Sequence, residues 1–371
     1  MIAPRRDPEI LLRRYWDASN APAISAGLAV LSAGYRVALA MRECAYRWRL
    51  LSTGRLPCPV ISVGNITLGG SGKTPMVEET ALCLRELGAN PAVVSRGYGR
   101  DSRGIGIVAD RDGQRLGPRA GGDEPVMLAD RLPGVPIVVG ENRFEAGRVA
   151  IDQCGATVIV LDDGFQHRTL RKDLEILVVN GREPWGNSRL FPRGMLREPI
   201  SALGRADLIV LTNPPVPADA VEATETIRRH NARAPVIVAQ YQVIGARLVP
   251  GVRELAPADL HGRRFLAFAG LGSPRGFADT LIGVGVVLAG LVEYPDHYWF
   301  DQRDLTELGQ HAASVGAEGL ITTEKDWVRL RSLDLSPGLL CVLRVRLSLD
   351  AGREQLVQAL DGTLASTASR R

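Results

Sequence analysis

The chain has 371 residues, of which 45% are hydrophobic and 23% are charged, and its formal net charge is +4. This length favours two domains or one large one, and the composition is that of a soluble globular protein with enough apolar material for a core. The net charge is too small to indicate a nucleic acid partner. The five cysteines include no CxxC pair, which argues against a zinc site or a disulfide framework and fits a reducing cytoplasm.

The first 50 residues contain eight arginines and four acidic residues, and an apolar stretch runs inside them from residue 21 to residue 41. A membrane-spanning helix needs about 20 strongly apolar residues, whereas this stretch is rich in Ala and Gly and is interrupted by Arg36. A signal peptide would lie nearer to Met1 and would end in a cleavage site. We therefore predict an amphipathic helix at a membrane surface. The alternative is a helix that packs on the core.

Strand and helix patterns alternate after residue 56. Helix patterns cover residues 75–87, 143–153 and 220–230, and in the first of them Met76, Thr80, Leu84 and Leu87 fall on one face. The predicted strands are short apolar runs at residues 59–63, 92–95, 136–139, 158–161, 176–179 and 208–211. This alternation predicts βαβ units that build a parallel sheet.

A second domain is predicted after the proline-rich segment NPPVP, residues 213–217. Strand-like runs at 235–242 and 341–349 bracket a segment with its own predicted strands at 265–268, 286–288 and 320–322. A helix pattern at 353–360 follows. We predict an N-terminal membrane-surface region at residues 1–50 and a first domain at 51–232, to which the C-terminal residues 349–371 return. Two linker strands at 233–244 and 339–348 lead to a second, smaller domain at 245–338.

The strongest motif is VGNITLGGSGKTP, residues 63–75, which is typical of a P-loop. Glycines let backbone N–H groups approach phosphate oxygens, a lysine reaches the β- and γ-phosphates, and a Ser or Thr hydroxyl binds Mg²⁺. The general pattern requires glycine where this chain has Thr67, but a predicted strand before the loop and a predicted helix after it support the assignment. We predict ATP and Mg²⁺ as cofactors, with the nucleotide bound by Thr67, Gly69, Gly70, Ser71, Gly72, Lys73 and Thr74.

A second motif, ATVIVLDDGFQHR at residues 156–168, is an apolar strand that ends in two acids. It is typical of a Walker B element, whose carboxylate holds Mg²⁺ near the P-loop. Such a strand opens onto the carboxyl edge of the sheet, where α/β proteins bind their ligands. Two acids after a strand more often form a solvated turn, but the preceding P-loop favours a metal site made by Thr74, Asp162 and Asp163.

Two polar clusters are less specific by themselves. Asp123 and Glu124 follow two glycines at a predicted helix start, where the helix dipole favours acids, so a capping role is the alternative. His297 follows Asp296 in a proline-marked loop, and an adjacent carboxylate can orient or tune a histidine that would otherwise be structural.

Together these motifs resemble one family, the tetraacyldisaccharide 4′-kinases, or lipid A 4′-kinases. The matching segments occur in the family's order over roughly residues 55–330: SVGNITLGGSGKTP, SRGYGR, GGDEP, ENR, LDDGFQHR, RGMLREP, ADLIVLTN, AFAGLGSPRGF, PDHYWF and TTEKDWVRL. Thr67, which departs from the general P-loop pattern, is normal for this family.

The resemblance implies a P-loop NTPase-type parallel sheet with helices on both faces, plus a second, smaller α/β/α domain joined by a two-stranded linker. It implies that the γ-phosphoryl of ATP is transferred to the 4′-hydroxyl of a tetraacylated glucosamine disaccharide 1-phosphate. This step of lipid A synthesis takes place at the cytoplasmic face of the Gram-negative inner membrane, where the protein would be peripheral. Beyond this lipid substrate and the membrane surface, we expect no nucleic acid and no obligate protein partner.

Matching the family's motifs to this chain implies a role for individual residues. Lys73 would act in catalysis, Asp123 would be the general base, and His297, beside Asp296, would tune that base. The remaining residues are expected at the nucleotide or substrate site: Tyr98, Glu124, Arg143, His167 and Arg197.

The alternative from another functional class is a P-loop nucleotide switch or a metallochaperone. A GTPase-like switch requires an N-K-x-D motif, and the nearest segments, LTNP at 211–214 and TEKD at 323–326, do not have its spacing. A metallochaperone requires a cluster of Cys and His ligands, which this sequence lacks. The sequence therefore favours an enzyme.

Overall fold

The computed structural model describes residues 22–249, 251, 253–335, 340–349 and 352–368. These residues form two compact units. Tyr241–Ser348 make up the smaller unit, and the larger unit comprises the described chain before Tyr241 together with the chain from Leu349 onward. The boundary at Tyr241 lies inside the segment that was predicted as a linker strand, 233–244.

The larger unit alternates strands and helices in the order α1 (Pro22–Arg47), β1 (Val60–Gly64), α2 (Lys73–Glu86), β2 (Pro91–Ser95), β3 (Gly106–Asp110), β4 (Gly113–Gln114), α3 (Pro118–Gly121), α4 (Asp123–Arg131), β5 (Ile137–Val139), α5 (Arg143–Asp152), β6 (Val158–Asp162), β7 (Leu174–Asn180), a 3₁₀ helix (Ile200–Arg205), β8 (Leu208–Thr212) and α6 (Pro217–His230). Strand β9 (Val236–Val249) begins in this unit and continues into the smaller one.

The sheet of the larger unit has the strand order β8-β7-β1-β6-β2-β5-β3-β4. It is parallel from β8 to β5, whereas β3 runs antiparallel to β5 and β4 antiparallel to β3. Every residue of β1, β2, β6 and β8 is buried. Because successive strand residues point to opposite faces, this burial means that both faces of the sheet are covered, as parallel sheets require.

Helix α2 begins two residues before the predicted start because Gly72, with φ of 88°, ends the preceding loop in the left-handed conformation. Glycine adopts this conformation without the steric cost of a side chain. The C-terminal helix α10 (Arg353–Ala368, the last in chain order) belongs to the larger unit. Arg353 forms ion pairs with Glu79 and Glu86 of α2, at 3.1 and 2.7 Å.

The smaller unit contains the rest of β9, followed by β10 (Arg253–Leu255), a 3₁₀ helix (Pro257–Leu260), β11 (Arg264–Ala269), α7 (Pro274–Gly283), β12 (Val287–Glu293), α8 (Gln302–Ser314), β13 (Gly319–Thr323), α9 (Glu324–Leu330) and β14 (Leu340–Ser348). Its strand order is β12-β11-β13-β14-β9, with β10 antiparallel to β9. Strands β12, β11, β13 and β14 are parallel.

Alternate residues of β11 face two helical layers in the smaller unit. Phe265 packs in a cluster with Phe277 of α7, whereas Phe268 packs in a second cluster with Leu308 of α8 and Leu330 of α9. Both phenylalanines of the strand are fully buried. The smaller unit is therefore an α/β/α sandwich.

Helix α1 is longer than the predicted stretch 21–41. Along one side, Tyr35 and Leu39 pack against the core cluster of the larger unit. The helix also exposes large apolar side chains, of which Val30, Val37 and Met41 lie on the side opposite Tyr35 and Leu39, and Ile24 and Leu31 lie elsewhere. Among the described residues, α1 is the one helix whose length and composition would allow it to cross a bilayer.

Candidate active site

The two main sequence motifs meet at one edge of the larger sheet. Strand β1, which precedes the P-loop, pairs in parallel with β6, which ends at Asp162. On its other side β6 pairs in parallel with β2, which ends at Ser95. The carboxyl ends of these strands lie side by side, at the position where α/β sheets bind ligands.

Hydrogen bonds from three polar side chains fix the shape of the P-loop. Asn65 donates to the hydroxyl of Ser71 at 2.9 Å, and Thr212 donates to the backbone carbonyl of Ser71 at the same distance. Asn180 donates to the carbonyl of Gly70 at 3.3 Å. Because the loop's carbonyls are engaged in this way, its shape is set without a bound nucleotide, which favours phosphate binding by preorganisation.

The first half of the P-loop pairs with the RGMLREP segment in a strand-like manner. Leu68 donates its N–H to the carbonyl of Met195, and Arg197 donates its N–H to that of Ile66, both at 2.7 Å. Thr67 lies between them and forms a bridge with Leu196. A residue in extended pairing needs no positive φ, which explains why threonine is tolerated where the general pattern has glycine.

Asp163 is bound by two cations. Nη1 of Arg197 donates to both of its carboxylate oxygens, at 3.0 and 2.8 Å, and Nζ of Lys73 lies 3.7 Å from Oδ1. Burial alone would raise the pKa of this carboxyl, but Lys73 and Arg197 lower it below its usual value. The residue adopts a left-handed backbone with φ of 53°, which is uncommon for any residue but glycine.

Asp162 has a different environment. It is 3% exposed and accepts a hydrogen bond from Ser95 at 3.0 Å. Burial first, and then the charges of Glu124 and Asp163, raise its pKa to about 7 despite the opposing effect of Lys73. A buried carboxylate that its surroundings leave short of positive charge is suited to receive a cation.

The donors near Asp162 fit Mg²⁺ in the manner of a nucleotide kinase. Thr74 offers a hydroxyl at the first turn of α2, and Mg²⁺ in such sites is held by one or two protein oxygens together with phosphates and water. No cluster of three or more His, Cys, Asp or Glu that would hold a metal by itself occurs in the part of the chain that the structure describes. This donor set suits a metal that arrives with a nucleotide.

Arg143 and His167 add positive charge and a neutral ring to the same edge. Arg143 is buried, donates to the carbonyl of Gly140 at 3.0 Å, and acts electrostatically on Asp162 and Asp163. Burial, and next Arg143 and Lys172, lower the pKa of His167 to about 4. The imidazole is therefore neutral at pH 7.

The GGDEP and SRGYGR segments pack against each other. A side chain at Gly122, which has φ of 92°, would come within 3.3 Å of the Cα of Gly97. Asp123 follows as the first residue of α4, and it is 4% exposed. Tyr98 projects outward with 67% of its surface exposed. The glycine pair thus lets Asp123 begin its helix directly beside the SRGYGR loop.

In the smaller unit, Lys325 connects Asp296 with His297. Its Nζ donates to Oδ1 of Asp296 at 3.0 Å and lies 3.4 Å from Nε2 of His297. His297 also donates its backbone N–H to Asp296 and has a left-handed φ of 58°. Asp123 belongs to the larger unit and His297 to the smaller one, so their cooperation stays a prediction.

A buried ion pair supports this cluster. Asp326 accepts from the backbone N–H of Gly270 at 3.0 Å and binds the guanidinium of Arg329, and both side chains are fully buried. Arg329 in turn donates to the carbonyl of Gly270 at 3.1 Å. The pair fixes the start of α9, which carries Lys325, against the end of β11.

The site contains residues that the sequence analysis did not select. Ser95, Asn180 and Thr212 are the last residues of three strands, and their place at the carboxyl edge is the signal that would have found them. Lys172 donates to the carbonyls of Gly164 and Phe165, both at 3.2 Å, and so braces the DDGFQHR loop. It lies outside every quoted motif.

Known proteins resemble the chain over nearly its whole length. The family profile LpxK, described as tetraacyldisaccharide-1-P 4′-kinase, matches residues 24–365. A tetraacyldisaccharide 4′-kinase of Syntrophus aciditrophicus (strain SB) is 40% identical over 329 residues, which cover 86% of this chain and 88% of that protein. One from Anaeromyxobacter sp. (strain Fw109-5) is 39% identical over 368 residues, covering 96% and 97%.

A solved structure also matches. The apo-form LpxK from Aquifex aeolicus in complex with ATP aligns with a TM-score of 0.74 at 30% identity, covering 92% of this chain and 99% of that one. This match confirms the predicted P-loop NTPase-type α/β fold. The predicted parallel sheet is extended by the antiparallel strands β3 and β4, which the sequence analysis did not include.

Proposed function

The chain belongs to the LpxK family of tetraacyldisaccharide-1-P 4′-kinases, and from this membership we propose that it transfers the γ-phosphoryl of ATP to the 4′-hydroxyl of a tetraacylated disaccharide 1-phosphate in lipid A biosynthesis. The observation that carries the proposal is the P-loop beside the buried Asp162 at one sheet edge, within a chain that the family profile covers almost completely. A nucleotide switch or metallochaperone would leave that match unexplained.

On the nucleotide side, the backbone N–H groups of the P-loop and the ammonium of Lys73 would bind the phosphates. Asp162 and Thr74 would hold Mg²⁺, which when bound neutralises phosphate charge and stabilises the charge that builds up during transfer. Asp163 is already neutralised by Arg197, so we assign it to positioning of Lys73 rather than to direct metal binding.

On the acceptor side, Asp123 is the proposed general base. Asp123 begins helix α4 beside the SRGYGR loop, and His297 with Asp296 would tune its proton transfer. Tyr98, Glu124, Arg143 and His167 are proposed to bind the nucleotide or the lipid substrate, as expected from the sequence.

The lipid substrate requires access to a membrane. Val30 and Met41 on the outward side of α1 are 73% and 68% exposed, and Trp48 and Leu50 just after the helix are 71% and 73% exposed. Arg36 and Arg47 lie among them and would face anionic headgroups. We propose that the protein sits peripherally on the cytoplasmic face of the inner membrane through this surface.

The decisive experiment is direct. The full chain is incubated with γ-labelled ATP, Mg²⁺ and the tetraacyldisaccharide 1-phosphate in detergent micelles, and label is expected in the lipid fraction. Omission of Mg²⁺ and the Lys73→Ala variant are the controls. A folded protein that binds ATP but transfers no label to this lipid would contradict the proposed function.

A further inference from the structure

Helix α1 contacts the segment that carries Arg197, in addition to presenting its apolar side. The hydroxyl of Tyr35 donates to the backbone carbonyl of Arg197 at 2.9 Å, and that of Ser32 donates to the carbonyl of Leu190 at 3.0 Å. The ring of Tyr35 also meets Phe191 edge-on, with centroids 6.2 Å apart. The helix therefore contacts the C-terminal part of the RGMLREP segment and the residues just before that segment.

The residue after Arg197 is bound as well. Glu198 is 4% exposed and forms ion pairs with Arg42 of α1 at 3.5 Å and with Arg205 at 2.7 Å. Arg197 is thus held at its N–H by Ile66 of the P-loop and at its carbonyl by Tyr35. Its side chain then binds Asp163, so the position of the helix is transmitted to that carboxylate through one residue.

The same helix reaches the second site motif. Glu43 forms an ion pair with Arg168 at 3.2 Å, and the ring of Tyr46 lies 5.9 Å from the guanidinium carbon of Arg168. Arg168 ends the DDGFQHR motif, directly after His167. One helix therefore contacts two of the segments that bring side chains to the phosphate site, and this exceeds what a surface anchor needs.

We propose that Tyr35 and Glu43 of helix α1 are positioning residues for phosphoryl transfer, acting through Arg197 and Arg168. The inference rests on the proposed kinase function. Transfer is sensitive to small displacements of the groups that align the phosphate. One side of α1 would face lipid while the opposite side aligns the site, so the helix would link membrane contact to the geometry around Asp163.

The test separates positioning from anchoring. kcat and the KM for ATP are measured in detergent micelles, and membrane binding is measured by flotation with phosphatidylethanolamine and phosphatidylglycerol vesicles. For Tyr35→Phe we expect a roughly tenfold lower kcat with little change in the KM for ATP and unchanged flotation. Glu43→Gln should also lower kcat, but by a smaller factor than Tyr35→Phe does. Cys44→Ser is the matched control, because Cys44 is exposed on the same helix.

Coupling through Arg197 gives a readout that a general loss of stability would not produce. The double variant Tyr35→Phe with Arg197→Lys should lose less activity than the product of the two single losses, because both act on one side chain. Wild-type kcat in both Tyr35→Phe and Glu43→Gln, or a loss of kcat matched by a loss of flotation, would overturn the inference. An inactive wild-type protein would instead contradict the kinase function itself.

Discussion

Arg197 binds both carboxylate oxygens of Asp163 through one guanidinium nitrogen, at 3.0 and 2.8 Å. The same carboxylate lies 3.7 Å from Lys73, so Asp163 is shared between an arginine from the RGMLREP segment and the P-loop lysine. Because Arg197 makes the hydrogen bonds to this carboxylate and Lys73 lies farther away, the ammonium of Lys73 remains available for phosphate oxygens.

The first prediction follows from that sharing. In Arg197→Ala, Asp163 loses the cation that donates hydrogen bonds to it and should draw the Lys73 ammonium away from the nucleotide. We expect kcat to fall by at least roughly tenfold with a small change in melting temperature, because both side chains are partly exposed. Steady-state kinetics and a thermal melt measure this. Arg229→Ala on α6 controls for the loss of one positive charge, and an equally inactive Arg229→Ala would remove the argument.

The second prediction concerns Lys73 itself. Its ammonium lies 3.7 Å from Asp163, and the P-loop keeps its hydrogen bonds from Asn65 and Thr212 when Lys73 is replaced. Lys73→Ala should therefore abolish most turnover while the protein stays folded, because charge neutralisation at the phosphates is lost. Near-normal labelling of the lipid by this variant would remove the P-loop assignment.

The third prediction separates the two acids of the DDGFQHR motif. Asp162→Asn should raise the Mg²⁺ concentration needed for half-maximal activity more than Asp163→Asn does, because Asp163 is already paired with Arg197. A Mg²⁺ titration of both variants checks this. Equal shifts in the two variants would assign the metal to both carboxylates.

The buried Asp162 also predicts a pH effect on stability. Its folded-state pKa of about 7 lies above the usual aspartate pKa of 3.8, so ionisation at neutral pH destabilises the metal-free folded protein. This destabilisation of the folded protein is absent below pH 3.8 and grows as the pH rises from 3.8 to about 7. Metal-free Asp162→Asn should thus melt at a higher temperature than wild type at pH 8 and at the same temperature near pH 4. A lower melting temperature at pH 8 would contradict this.

The sequence was sufficient to predict the two motifs that meet at the sheet edge, because a P-loop and a strand ending in acids each carry their chemistry in adjacent residues. It was not sufficient for the support beneath them. Asn180 and Thr212 hold the P-loop from the ends of other strands, and strand order is not visible in local patterns.

Element lengths were also underestimated where local signals are weak. Strand β9 extends to Val249, beyond the predicted end at residue 242. The prediction ended early because the alternation of buried and exposed residues breaks at Gly245 and Ala246. Helix α1 continues to Arg47, past the apolar stretch. A polar residue of its last turns, Glu43, forms an ion pair with Arg168 elsewhere in the larger unit. Such tertiary contacts override local pattern.

Another prediction concerns Lys325 and Asp296. Burial alone would raise the pKa of Asp296, but Lys325 and His297 hold it below its usual value. Lys325→Met should raise that pKa, so Asp296 becomes protonated at a higher pH and the acidic limb of the kcat profile shifts upward. Lys325→Arg keeps the charge and should restore the wild-type limb. Identical acidic limbs in wild type and Lys325→Met would show that Asp296 does not control the reaction.

The last prediction concerns the base. A sugar hydroxyl is a poor nucleophile unless its proton is removed as the new bond forms, and such catalysis is typically worth roughly 10²–10⁴-fold. Asp123 begins helix α4 beside the SRGYGR loop, and His297 is held by Asp296 and Lys325. We expect Asp123→Ala and His297→Ala each to lower kcat by at least roughly tenfold with little change in ATP affinity. Kinetics with labelled ATP and equilibrium nucleotide binding measure the two quantities.

The double variant decides whether the two residues act on one proton. If they do, removal of the second residue after the first has little left to impair, so the combined loss should be much smaller than the product of the single losses. Asp123→Asn keeps the shape of the side chain without its basicity and should be as inactive as Asp123→Ala. Fully multiplicative losses would show that Asp123 and His297 work independently, and an active Asp123→Ala enzyme would assign the base to another residue.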